Sequence, residues 1–281
     1  MQSSNPVFAR SEGFNGRRTS TSGVTYPGYS DPSSWGTGSP QSPQTYAPER
    51  VSGPMTIDSV VQKTGITLGV VVLVAAATWF LTGDPTVDQN ALSGLYMLSM
   101  VGALGGLALS LVNSFKRVIS PALVIAYAAL EGLFIGAFSK AMEASFGGGL
   151  VVGAVLGTMA AVGGTLAAYK FFNIQVGTKF RKWVVAAMFG FVALALLDFV
   201  LAFFGASFGF NGFGPMGLLS SVIGLGLGVL LLILDFDFVE RGIAARLPEQ
   251  ESWRAAFGLT VTIIWIYIEL LRILAILRGN D

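Results

Sequence analysis

The chemistry open to this chain rests on a few ionisable residues standing inside long apolar stretches: Glu131, Asp198, Asp235, Asp237, Glu269 and Arg272. The 281 residues include no cysteine and no histidine. That excludes disulfides, thiolate nucleophiles and zinc–thiolate sites. It also excludes Ser-His and Cys-His catalysis and the usual catalytic zinc sites. Carboxylate, Lys, Arg, Ser/Thr and Tyr remain. Carboxylates are the natural ligands of hard cations such as calcium, and a pH switch in this chain falls to them as well. Placing Asp, Lys or Arg at bilayer depth costs about 2.5–3.5 kcal/mol even on the lenient insertion scale, so such residues pair, line water or carry function.

The elements that position these residues are membrane spans. Hydrophobic residues make up 53% of the chain and charged residues 12%, against about 25% charged in soluble domains. Seven mostly apolar stretches, at roughly 64–83, 91–114, 118–141, 147–172, 182–205, 214–238 and 254–277, are each long enough to cross a bilayer core about 30 Å thick. Pro121 and Pro215 fall near span starts, where a missing N–H does no harm. Alternate loops hold 14 of the 17 Lys and Arg residues. This positive-inside pattern puts the N-terminus in the cytoplasm and the C-terminus outside. Residues 1–52 read as a disordered cytoplasmic tail, rich in Ser, Gly, Pro and Tyr, and 53–281 as the seven-helix domain. The segment Met55–Thr64 reads as a short polar helix in the interface, capped by Thr56. Glycines recur in spans two, four and six, which suits close helix packing more than a pore lining.

Helix rise then gives depths. Glu131, Asp198 and Glu269 lie about 20, 24 and 22 Å from the cytoplasmic ends of their spans. Arg272 is one turn beyond Glu269 and on nearly the same face, so the two can pair. These four are expected to form one layer in the middle or outer half of the bundle. Asp235 and Asp237 lie about 1–5 Å from the cytoplasmic end of span six and point about 200° apart. Asp235, which follows the apolar run Val229–Leu234, is expected to face inward. Asp237 is expected to face headgroups or to cap a cytoplasmic contact. The plainer readings are two solvated interfacial aspartates and a structural Glu269–Arg272 salt bridge.

The run Leu-Ile-Leu-Asp-Phe-Asp (232–237), a short charged loop, and Ile-Glu-Leu-Leu-Arg-Ile-Leu (268–274) together resemble the last two helices of the Bax inhibitor-one family. Met-Thr-Ile-Asp-Ser-Val-Val-Gln-Lys-Thr (55–64) and Leu-Glu-Gly-Leu-Phe-Ile-Gly (130–136) resemble its bacterial branch. The similarity covers about residues 53–277. It implies a seven-helix bundle with a central helix surrounded by the others. It also implies a pH-sensitive calcium leak, gated by two aspartates on the last two helices that share a proton or hydrogen bond. Asp235 matches the first aspartate. Thr262 stands at the place of the second, and Glu269 is an acid two turns further along. The two-aspartate latch is therefore absent or rebuilt.

The expectation is an all-α integral membrane protein, a seven-transmembrane-helix bundle of this type, multi-pass in the plasma membrane. Its expected activity is a calcium or cation leak, with Asp235, Glu131, Glu269, Arg272, Asp237 and Asp198 in the ion path or pH response. The alternative is a non-transporting regulator that binds other membrane proteins. An aspartyl protease built on Asp198 and Asp235 fails on depth, because the two differ by about 20 Å where a dyad needs about 3 Å. A secondary transporter lacks an internal repeat. No enzymatic activity, catalytic residue, cofactor or resident metal is expected. The partners expected are the lipid bilayer, calcium ions and other membrane proteins. A net charge of +1 gives no ground for a nucleic-acid partner.

Overall fold

The structure is a computed structural model that describes residues 53–85 and 89–279. The expected tail, 1–52, and Asp88 lie outside the described residues. Seven helices and no strand are present among the described residues: α1 (Ile57–Leu81), α2 (Gln89–Phe115), α3 (Pro121–Phe146), α4 (Leu150–Phe171), α5 (Thr178–Phe203), α6 (Pro215–Ala244) and α7 (Glu251–Gly279). All seven are long and apolar enough to cross a bilayer. The domain is a multi-pass membrane bundle.

Local chemistry starts these helices where the sequence places the signals. Thr56 caps α1 in a reciprocal box: its hydroxyl accepts the Ser59 N–H at 3.1 Å, and the Ser59 hydroxyl accepts the Thr56 N–H at 3.1 Å. Pro121 and Pro215 occupy the first turns of α3 and α6. Two expectations need correction. The polar segment 55–64 is no separate interfacial helix; from Ile57 it is the first part of α1. It is held there because Lys63, nearly buried, donates to Glu249 Oε1 at 2.9 Å and to its carbonyl at 3.0 Å. The sixth helix does not stop near residue 238 but runs to Ala244. Asp235 therefore stands about 14 Å from its helix end, not 1–5 Å.

Helix α7 is the centre. It packs against α1, α3, α4 and α6, whereas α2 packs on α3 and α5 on α6. Of its most apolar window 56% is buried, against 17% for α1 and for α5. The other helices present their remaining apolar surface to lipid. Leu232 and Ile266 close the α6–α7 contact with Met55 and Val60 of the chain start. Leu271 and Ala275 close the α4–α7 contact with Leu150 and Ala154.

The glycines of span four work as packing surface. Cβ atoms at Gly153 and Gly157 would come within 3.2 and 3.3 Å of Leu274 and Leu270 of α7. Gly102 lets α2 approach α3, since a Cβ there would come within 2.6 Å of the Phe134 amide nitrogen. Gly132 and Gly136 do the same for α3 on α1, against the backbones of Val71 and Ala75. Gly226 meets nothing within 4 Å.

Candidate functional site

The α6–α7 contact positions Asp235. Two residues of α7 on one face, Gly258 and Thr262, make room for it and answer it. Thr262 Oγ1 donates to Asp235 Oδ2 at 2.6 Å, and Oδ1 is 3.5 Å from where a Gly258 side chain would begin. No Lys or Arg among the described residues pairs with this carboxylate. The inward expectation for Asp235 matches this geometry. Its partner is the threonine at the place where the family resemblance implies a second aspartate.

Asp237, on the other side of α6, is not turned to headgroups. It is 5% exposed and held between two guanidinium groups. Arg181 of α5 reaches Oδ2 at 2.7 Å, and Arg241, one turn along α6, reaches Oδ1 at 2.9 Å. Arg241 also donates to the Val176 carbonyl at 2.6 Å. The result ties α6, the start of α5 and the loop before it into one clamp. The Asp237–Arg241 pair was readable from its i,i+4 spacing; Arg181, on another helix, was not.

Glu269 and Arg272 do meet, at 3.4 Å, both largely buried. That is long for a charge-assisted bond, which usually falls near 2.7–2.9 Å. Arg272 also donates to the carbonyls of Phe210 and Gly212, at 3.0 and 3.3 Å, in the α5–α6 loop. Asp198, 2% exposed, holds the same loop from α5. It accepts the N–H groups of Phe208 and Asn211 at 2.9 and 2.8 Å and the Ser207 hydroxyl at 3.1 Å. Glu269, Arg272 and Asp198 thus surround one loop at the end of the bundle opposite Arg241.

Glu131 stands apart from them. It faces α2, where a Cβ on Gly106 would lie 2.8 Å from its Oε1. Tyr127, one turn earlier, packs edge-on against Phe257 of α7 at 5.0 Å. α3 and α6 do not approach one another, and α7 touches both. The expected layer of Glu131, Asp198, Glu269 and Arg272 therefore reduces to the last three. Depth along a helix does not tell which neighbour a face meets.

Two further groups were not foreseen. Lys140 caps the end of α1, donating to the carbonyls of Trp79 and Thr82 at 2.7 and 2.8 Å. Glu143 accepts the N–H groups of Gly149 and Val151 at the start of α4. An apolar cleft of about 630 Å³ opens between α1 and α4, floored by α3 and α7, with Glu143 and the Ser139–Tyr267 hydroxyl pair among its few polar groups. None of the six candidate residues lines it. No cluster of three acidic residues placed to hold a metal ion occurs among the described residues.

Comparison with known proteins agrees with this architecture. A family model described as Bax inhibitor 1 like matches residues 5–279. An uncharacterized protein of Chlamydia muridarum (strain MoPn / Nigg) is 30% identical over 158 residues, 54% of this chain. The matched region spans 63% of that relative's length.

Proposed function

The chain belongs to the Bax inhibitor 1 like family, and from that premise we propose that it is a passive cation leak of the plasma membrane, without enzymatic activity, whose cation-attracting group is Asp235. One observation supports this above the others. Asp235 is a carboxylate within a helix–helix contact of a membrane bundle, answered by one hydroxyl and by no countercharge among the described residues. The other aspartates at depth have their acceptor capacity taken up, Asp237 by two arginines and Asp198 by a loop. An unpaired acid inside a membrane marks an ion or proton pathway by default. Oxygen ligands suit calcium or another hard cation. A single carboxylate and a hydroxyl make a weak site, which a conducting path needs so that the ion leaves again. On the positive-inside reading Asp235 belongs to the cytoplasmic half, with the N-terminus inside and the C-terminus outside.

The pH response has a definite sign. The ionised carboxylate attracts the cation and the protonated one does not, so flux falls as pH is lowered through the Asp235 titration. Thr262 is a donor that does not titrate there, so this contact contributes one titrating group to the response. The test is calcium entry into dye-loaded proteoliposomes as a function of pH. A rate that falls smoothly on acidification supports the reading; a rate that rises removes it.

The second reading is a regulator that binds other membrane proteins. It is favoured by α5, whose backbone approaches α6 alone and which turns Trp183 and Phe189 outward. Recovery of a stoichiometric partner from membranes, together with the absence of flux, would decide for it.

A further inference from the structure

We propose that residues 204–214, between α5 and α6, form a hinged cap over Glu269, and that Arg272 is the latch that holds it shut. The segment is bound to all three helices around it. From α5, Asp198 accepts three hydrogen bonds from it, from the Phe208 and Asn211 N–H groups and the Ser207 hydroxyl, and Asn211 Nδ2 donates back to the Ala195 carbonyl at 2.8 Å. From α6, Ser220 donates to the Phe210 carbonyl at 2.6 Å. From α7, Arg272 donates to the carbonyls of Phe210 and Gly212. The Phe210 ring lies 5.1 Å from that of Phe191, which lies 5.6 Å from that of Trp265. This aromatic stack sits over Gly224, where a Cβ would come within 2.6 Å of Glu269 Oε1 and 3.0 Å of the Phe191 ring.

Beneath the cap a buried hydroxyl is left with unused hydrogen-bonding capacity. Ser221, one turn before Gly224, is fully buried beside Glu269, and its hydroxyl has no hydrogen-bond partner of sound geometry. Glu269 is 4% exposed, and its ionic partner is Arg272, at 3.4 Å. The same guanidinium is therefore shared between the acid below and two carbonyls of the cap above. Its hold on Glu269 is loose beside the 2.7 and 2.9 Å pairs of Asp237. A hard cation arriving at Glu269 competes with the guanidinium for the carboxylate. Once displaced, Arg272 no longer aligns with the cap carbonyls. Gly205 and Gly209, with φ of 71° and 82°, give the segment its turning points. The α5 backbone approaches α6 and not α7, so releasing Arg272 removes the cap's polar tie to the central helix.

The cap is regulation of the proposed leak and rests on that reading for its purpose, not for its existence. The chain has no cysteine, so Ser221→Cys is a clean reporter. The experiment measures the rate at which a charged methanethiosulfonate labels purified Ser221→Cys protein in detergent. Adding Arg272→Gln is expected to raise that rate about tenfold, the scale set by losing a charge-assisted hydrogen bond. Adding Asn211→Ala, which leaves the buried charges in place, is expected to raise it by a smaller factor. Calcium chloride alone is expected to speed labelling when Glu269 is present and not in Glu269→Gln. Ser252→Cys, buried at the other end, reports global unfolding and is expected to stay unlabelled throughout. Ser221→Cys rates that are the same with and without the Arg272→Gln change, while Ser252→Cys stays protected, overturn the cap. Labelling that responds while no variant carries calcium flux keeps the cap and removes the leak; flux with unresponsive labelling does the reverse.

Discussion

At the scale of single residues, Asp235 and Thr262 form a donor–acceptor pair in which the acceptor is a carboxylate that no described Lys or Arg meets. Removing the donor leaves a buried acceptor short of a bond, at a cost of about 1–3 kcal/mol. Thr262→Val is therefore expected to lower unfolding stability in detergent by that amount. Thr165→Val, whose hydroxyl donates within its own helix to Ala161, serves as the smaller-effect control. Thr262→Asp is expected to act differently. It sets two carboxylates within hydrogen-bond reach, and like charges so close do not both ionise. Calcium flux measured against pH should then show a second titration step that the natural protein lacks. Asp235 could be aimed from sequence because an apolar run leads into it. The surroundings of Asp237 could not be, since Arg181 arrives from a helix 56 residues earlier and Val176 offers only a backbone carbonyl.

At the scale of elements, packing is decided by where backbones come close. Gly102→Val forces a side chain into the Phe134 backbone, and overpacking of that kind costs about 1–3 kcal/mol. Gly226→Ala enters open space and removes a flexible residue from a helix, which is expected to stabilise by about 0.5–1 kcal/mol. Denaturant unfolding of the two variants against the parent checks both signs. The number and order of helices were legible because each apolar run is bounded by loops of opposite charge habit. The extent of α1 and α6 was not. The polar turn at Lys63 continues the helix because Glu249 and Trp253, the latter 5.7 Å from the ammonium, receive it. Likewise α6 passes the expected boundary because Asp237 and Arg241 neutralise each other there. Hydropathy alone registers such residues as ends.

At the scale of the whole bundle, the two ends differ in construction. The end that carries the basic loops is cross-linked by hydrogen bonds to backbone carbonyls. Met55 donates to the Leu247 carbonyl at 2.7 Å, Gln250 to Ile119 at 2.9 Å and Arg254 to Arg117 at 2.8 Å. The opposite end is closed by the α5–α6 loop. The positive-inside reading puts the first of these ends in the cytoplasm. Single cysteines in the cysteine-free chain test it in sealed vesicles of known sidedness: Arg246→Cys is expected to be protected from an impermeant reagent outside, and Ser207→Cys to react with it. That one helix stands at the centre is what the family resemblance implies, whereas its being α7, the neighbours it packs against and the separation of Glu131 from Asp235 by it required the fold. The most direct measurement is the initial rate of calcium entry into dye-loaded proteoliposomes carrying Asp235→Asn, at protein content matched to the parent. A loss of about tenfold, the scale on which a fixed charge concentrates counter-ions, is expected. A rate equal to the parent's contradicts a conducting role for this carboxylate.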